Sequence, residues 1–279
     1  RLYGLGSADM KSFFALIIEA LRGVDRAHLQ RPLTIIATAD EESTMCGAKA
    51  LVALQRKLGR HAVIGEPTGL RPIRAHKGIG MECLKIHGQS GHSSDPSLGA
   101  SALEGMHTLM SELLRWREEL QERYQNPLFA VEVPTINLGH IHGGDNPNRI
   151  CGTCELQIDI RPLPGMSLVD LRAEMAARFH PLFALSPLRL ELEPAFEGIP
   201  PMETPTTADI VQITEKLTGY KAGAVAFGTE GPFFNQIGME TIILGPGDID
   251  QAHQPDEFLS LDRINPMVRV LRQLINYYS

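Results

Sequence analysis

Four carboxylates and one histidine, each closing an apolar run or lying in a turn-rich loop, are the residues of this sequence best suited to chemistry. Asp9 lies in GLGSADMK, Glu41 and Glu42 in ATADEES, Glu66 in IGEPTG and His253 in QAHQPDE. Acids gathered at one edge of a sheet repel one another unless a cation lies between them, and oxygen donors with an imidazole make a metal-binding set. Neighbouring side chains at a strand end point to opposite sides, so Glu41 and Glu42 divide the work: one binds metal while the other stays free as a base. Taken singly, each residue has an ordinary explanation. Ser7 or Asp9 serves as a helix cap, DEE as an acidic first helical turn, and His253 as an exposed loop histidine. The coincidence of all five shifts the balance toward a site.

The elements that must position them follow from periodicity. Segments 33–39 (LTIIATA) and 62–65 (AVIG) have the pattern of short buried strands. Helices are expected at 10–21, where Phe13, Phe14, Ile17, Ile18 and Leu21 form one stripe, and at 47–58. From about residue 76 the texture changes to a strand (81–86), a long helix (101–124), strands (135–140, 151–160), a helix (168–179) and a strand (188–192). That βαββαβ order is ferredoxin-like. The first texture resumes with a helix (208–217), strands (222–226, 241–244) and a last helix (262–277). The expected fold class is α/β: a catalytic domain with a central mixed sheet, in two parts (1–75 and 196–279), interrupted by an inserted ferredoxin-like domain (76–195). Such sheets bind their ligands beyond the carboxyl ends of the strands.

Composition narrows the function classes. A hydrophobic content of 43% over 279 residues supports a real core, while a net charge of -7 and a single tryptophan weigh against a nucleic-acid platform. No stretch approaches the roughly 20 apolar residues that cross a bilayer, and the first residues carry no signal-peptide pattern. Four cysteines do not make a disulfide framework. A soluble, cytoplasmic protein with a small polar substrate is the expectation, with neither nucleic acid nor membrane as partner. Cys151 and Cys154 form a CxxC, but residues an odd number apart on a strand face opposite sides, which makes them packing residues. His140 and His142 share a face without a third ligand nearby, and a structural role is preferred. The stripe Leu103, Met106, Leu109, Met110, Leu113, Leu114 is helical core or a dimer face.

Together GSADMK, ADEE, GEPT, QSGHSS, GGDNPNRI, DIRPLPG, FGTEGP and LGPGDIDQAHQPDE resemble the aminoacylase and carboxypeptidase clan of dinuclear zinc amidohydrolases, and within it, with RAHKG, the acetylornithine deacetylase family. The resemblance covers essentially the whole chain. It implies a zinc-peptidase-like catalytic domain and an inserted dimerisation domain. It also implies two zinc (or cobalt) ions bridged by Asp9, one also held by Glu66 and the other by Glu42 and His253. Glu41 matches the general base, and His92 of SGHSS the donor to the tetrahedral intermediate, reaching into a partner subunit's site, so a homodimer is implied. Asn148, Arg161, Gly228 and Thr229 match substrate-contacting positions, Arg161 offering a bidentate fork for an α-carboxylate. A cis peptide between Asp9 and Met10 is implied as well. A further zinc ligand of the clan, a histidine in an HxD motif upstream of GSADMK, is not in this sequence, which leaves the Glu66 metal the less complete of the two and marks the chain as lacking an N-terminal segment. The implied activity is hydrolysis of N2-acetyl-L-ornithine in arginine biosynthesis. Alternatives are deacylation of N-succinyl-diaminopimelate or other N-acyl amino acids, and a non-catalytic dimerising module.

Overall fold

The computed structural model describes residues 1–279 except Arg26, His28, Lys57 and Ser279. In chain order the elements are β1 (Leu2–Tyr3), α1 (Lys11–Arg22), α2 (Cys46–Ala53), β2 (His61–Ile64), β3 (Ile73–His76), β4 (Gly80–His87), α3 (Ala102–Arg123), β5 (Thr135–Gly143), β6 (Thr153–Arg161), α4 (Leu168–Phe179), β7 (Arg189–Pro194), β8 (Met202–Glu203), α5 (Asp209–Thr218), β9 (Gly223–Val225), α6 (Gly231–Gln236), β10 (Glu240–Ile243), β11 (Phe258–Leu259) and α7 (Ile264–Tyr278). They group into two units: Arg1–His76 with Met202–Val225 and Thr229–Ser279, and Lys77–Pro201 with Ala226–Gly228. The second unit runs to Pro201 because Ile79 and Ile199 exchange both backbone hydrogen bonds, at 2.8 Å each, and keep the exit strand beside the entry strand.

In the first unit, a five-stranded mixed sheet follows the path β2-β10-β3-β8, with β9 paired to β3. Strand alternation splits its side chains between two apolar layers. Ile242 and Leu244 join Phe13, Leu16, Ile210, Val211, Met267, Leu271 and Leu274 of α1, α5 and α7 on one face. Ile243 and Ile64 join Phe234 of α6 and Leu51 of α2 on the other. Because β2 and β10 run parallel, both carboxyl ends emerge on the same edge, and Glu66 follows one of them.

The second unit carries an antiparallel sheet in the order β5-β6-β4-β7, the ferredoxin-like arrangement expected of βαββαβ. Leu84, Ile86, Leu156, Ile158 and Ile160 are buried with Met106, Leu109, Leu113 and Trp116 of α3 and Leu171 and Met175 of α4. Ser101 and Ser167 cap α3 and α4 by accepting from the N–H groups of Glu104 and Asp170. Leu103 of the expected stripe is exposed instead, since the buried stripe continues along Gly105, Leu109, Glu112 and Trp116. Cys151 and Cys154 are free and buried, and His140 and His142 are exposed.

Three expectations need correction. Residues 33–39 form no strand; they run without a ladder partner among the described residues, and Leu33 and Ile35 are exposed while Ile36 alone of the three packs against the core. The β-branched, apolar composition of the segment is a strand pattern, but a strand exists only where a second one supplies hydrogen bonds. In α1 the buried face is Phe13, Leu16 and Ala20, and Ile18 points outward. α2 ends at Ala53, short of the expected 58, and Lys57 of that span lies outside the described residues.

Trp116 anchors the second unit: it is fully buried, stacks edge-on against Phe179 at 5.8 Å and donates its indole N–H to Glu174 Oε1 at 2.8 Å. Trp116→Ala is expected to cost about 3–5 kcal/mol, read from urea unfolding followed by circular dichroism.

Candidate metal and catalytic site

Asp9 sits in a loop gripped by a carboxylate from the far end of the chain. β1 pairs with β11, which brings Glu257 beside residues 4–9. Its Oε2 accepts from the Gly6 N–H at 2.8 Å, and its Oε1 from the N–H groups of Ala8 at 2.8 Å and Asp9 at 2.9 Å. Burial pushes the Glu257 carboxyl up, but the three backbone donors outweigh it and hold the group below its ordinary range. The Asp9–Met10 peptide is cis, as expected. Helix α1 starts after Met10 with no side-chain cap, so neither Ser7 nor Asp9 is spent on capping.

Glu41 and Glu42 occupy a turn between the unpaired segment and α2. Asp40 has a left-handed backbone, φ 60°, held by its own side chain, which accepts from the Ser43 and Thr44 hydroxyls. The turn then packs so closely on α2 that a Cβ at Gly47 would lie 2.5 Å from the Ala39 nitrogen. The first turn of α2 contains no acid, so the DEE run is not a helix start. Thr38, three residues earlier, donates to Glu230 Oε2 at 2.8 Å.

Glu66 lies two residues beyond β2, before Pro67. Gly245, beyond β10, lies so close that a Cβ would meet the Glu66 carbonyl oxygen at 2.3 Å. His253, itself at φ 59°, places Nε2 2.9 Å from Glu42 Oε2 and 3.5 Å from Asp9 Oδ2. Asp9, Glu42 and His253 each offer a ligand atom within 4.8 Å of the others. The Glu66 and Asp9 carboxyls are close enough to act on each other's proton affinity.

The electrostatics are those of a cluster of acids acting on one another. Burial, then Glu41 and Asp9, raises the proton affinity of Glu66 well above the ordinary value, and burial raises Asp9. Burial, Glu42, Glu230 and Asp9 push Glu41 up to about 7. The groups acting most strongly on these carboxyls are one another and His253; no lysine or arginine is among them. A divalent cation relieves this repulsion, and an all-oxygen set plus one imidazole is a hard-to-borderline donor set that suits zinc or cobalt. The residues present fit a metal.

Two acids of the site escape a reading of the sequence. Glu257 and Glu230 both lie within motifs, QAHQPDE and FGTEGP, but in a sequence a buried acid that binds backbone or hydroxyl groups looks like an exposed one.

Comparison with known proteins settles the family. The model of peptidase family M20/M25/M40 matches residues 1–277. The chain belongs to that family. It is 51% identical over 278 residues to an acetylornithine deacetylase of Edwardsiella ictaluri, and 49% identical to one of Pectobacterium carotovorum, matches that take in 100% of this chain and 72% of each relative. Among solved structures, the aminopeptidase PepT of Bacillus cereus is similar with a TM-score of 0.77 at 19% identity, over 97% of this chain and 71% of that one. An M20 family metallo-carboxypeptidase of Sulfolobus solfataricus is similar with a TM-score of 0.71 at 15% identity, over 99% and 77%. At such identities the likeness speaks for the M20 fold. M20 peptidases are metal-dependent enzymes that hydrolyse amide bonds, generally with zinc or cobalt.

The remaining expected site residues of this M20 chain lie in the second unit, apart from Thr229. His92 is exposed, and its Nδ1 lies 2.8 Å from the Ser94 hydroxyl oxygen and 3.3 Å from the Ser94 backbone nitrogen. Its loop pairs with that of Asn148: the Ser93 N–H donates to the Asn148 carbonyl at 3.0 Å, and His92 bridges to Arg149. Arg161, at the end of β6, donates Nε–H to Asp159 at 2.9 Å. Gly228 is closely packed, a Cβ there lying 2.9 Å from Ile79. Thr229 belongs to the first unit, is buried, and accepts from the Gly231 N–H at 3.0 Å, capping the turn into α6.

His253→Ala is expected to lower bound metal by about half in the purified protein, measured by plasma emission spectroscopy; an unchanged stoichiometry removes His253 from the ligand set. The raised carboxyls bind protons more tightly in the folded than in the unfolded state. For Glu41, stability of the metal-free protein is therefore present below the ordinary value of 4.5 and is lost as pH rises through about 7. Thermal unfolding under chelator should show the midpoint falling between roughly pH 5 and pH 8, with a shallower fall for Glu41→Gln.

Proposed function

We propose that this protein removes the acetyl group of N2-acetyl-L-ornithine, releasing acetate and L-ornithine, as a metal-dependent amidohydrolase of arginine biosynthesis. The observation that carries the reading is the convergence of Asp9, Glu42 and His253 within 4.8 Å, with Glu41 near enough for Glu42 and Asp9 to raise its proton affinity. Relatives about half identical over the whole chain, named as acetylornithine deacetylases, support the substrate.

Asp9, Glu42 and His253 would hold the metal, with Glu66 beside them. When bound, the metal supplies a positive field that polarises the acyl oxygen and lowers the pKa of water. Glu41 accepts a proton from the attacking water as the new C–O bond forms, then delivers it to the leaving nitrogen as the C–N bond breaks. Its raised proton affinity suits both transfers, since a group near 7 takes and gives protons at neutral pH. His92 donates Nε2–H to the developing oxyanion; it does so in the site of a partner copy, making the enzyme a homodimer. Arg161 and Asn148 bind the α-carboxylate, and the backbone of Gly228 and Thr229 lines the amino-acid end. The cysteines are unpaired in a way that suits the cytoplasm.

With zinc or cobalt added, ornithine release from N2-acetylornithine is expected, exceeding release from N-succinyl-diaminopimelate. Glu41→Gln should keep its metal and lose about 10²–10⁴-fold in kcat. Equal activity in that variant removes Glu41 from the mechanism, and faster turnover of the succinyl substrate overturns the substrate assignment.

A further inference from the structure

Asp9 and His253 of the ligand cluster come from opposite ends of the chain, yet His253 Nε2 lies 3.5 Å from Asp9 Oδ2. A further side chain bridges the two loops that carry them. Glu257 stands four residues after His253 and is tied back to that loop by its own N–H, which donates to the Gln254 carbonyl at 3.2 Å. Its carboxylate reaches across to the Asp9 loop, Oε2 accepting from the Gly6 N–H at 2.8 Å and Oε1 from those of Ala8 and Asp9 at 2.8 and 2.9 Å. The last of these donors is the backbone of the ligand itself.

A carboxylate is a demanding choice for bracing a turn. Glu257 is 3% exposed, and a buried charge costs stability unless its partners replace the lost water. The main chain beside it already holds the loop: the Gly4 N–H donates to the Glu257 carbonyl at 3.0 Å, and Leu2 and Tyr3 pair with Leu259 and Phe258. What the side chain adds is an acceptor at each end, facing three converging N–H groups. A glutamine cannot match this, since its NH2 group must face one of those donors or two of them. The turn is shaped to present them. Gly6 has φ 80°, a left-handed backbone that suits glycine, and a Cβ there would meet the Lys11 side chain at 2.6 Å. Converging backbone N–H groups make an anion nest, and here the chain fills the nest with its own carboxylate.

We propose that Glu257 is a positioning residue for metal binding, an anionic clamp that fixes Asp9 against His253 before the metal arrives. The inference rests on the metal-site reading for its consequence, and on geometry alone for the clamp.

The test uses the full chain with cobalt as the probe, comparing the parent with Glu257→Gln and Glu257→Ala. Cobalt affinity, measured by competition with a chromophoric chelator, should fall about 10- to 100-fold in both variants, and the visible cobalt spectrum should shift as the ligand geometry relaxes. Formate is small enough to enter the space that alanine leaves. It should restore most of the lost affinity in Glu257→Ala, relative to chloride at the same ionic strength, and leave Glu257→Gln and the parent unchanged because their nest is filled. A brace with no bearing on the metal predicts a lowered thermal midpoint in both variants with the parent's cobalt affinity and spectrum, and that result overturns the proposal. Full affinity in Glu257→Gln, or no recovery with formate in Glu257→Ala, overturns it too. If Glu257→Ala does not fold, Glu257→Gln carries the affinity and spectral comparison. A parent that binds no cobalt sinks the metal-site reading; amide hydrogen exchange in Glu257→Gln then decides the clamp alone, acceleration confined to the Asp9 loop supporting it and an unchanged pattern overturning it.

Discussion

Four carboxylates held together against their own repulsion are the constraint around which the first unit is built. Asp9, Glu41, Glu42 and Glu66 come from three separate stretches of chain, and among the described residues no lysine or arginine is among the groups that act most strongly on Asp9, Glu41 and Glu66. Without a cation, burial and mutual repulsion raise the proton affinities of Asp9, Glu41 and Glu66. A bound metal relieves that repulsion. The same crowding that makes the empty cluster costly is what makes it selective for a small, strongly charged ion, and it leaves Glu41 with the proton affinity that a base working near neutrality requires.

Holding such a cluster demands rigid supports, and most of them are backbone. Glu257 collects three N–H donors from the Asp9 loop, Gly245 lets the end of β10 approach the end of β2, and Gly47 lets α2 close on the acid turn. Parallel β2 and β10 deliver Glu66 and the loop toward His253 to one edge of the sheet.

Much of this was legible in the sequence, for reasons that differ by residue. Asp9, Glu42 and His253 stood out because metal ligands must be a few residue types and because their flanking motifs resemble one family. The ferredoxin-like unit was legible because its alternation and helix caps are local signals. Segment 33–39 was misjudged because pairing is non-local: LTIIATA has the composition of a strand whether or not a partner lies beside it. Glu257 and Glu230 were invisible for a related reason. Nothing in an acid's neighbours along the chain tells whether it faces water or a buried N–H, and both contacts span nearly the whole chain or most of it. Helical spacing puts Ile18 on one stripe with Phe13, but the buried arc of α1 is turned away from that stripe, onto Phe13, Leu16 and Ala20.

The central claim is that the metal binds at the Asp9, Glu42, His253 cluster, and X-ray absorption at the zinc edge of the loaded protein tests it most directly. The account predicts a first shell of oxygen and nitrogen only, with imidazole scattering that disappears in His253→Ala. Sulfur in the first shell, or imidazole scattering unchanged by that substitution, would place the metal elsewhere and contradict it.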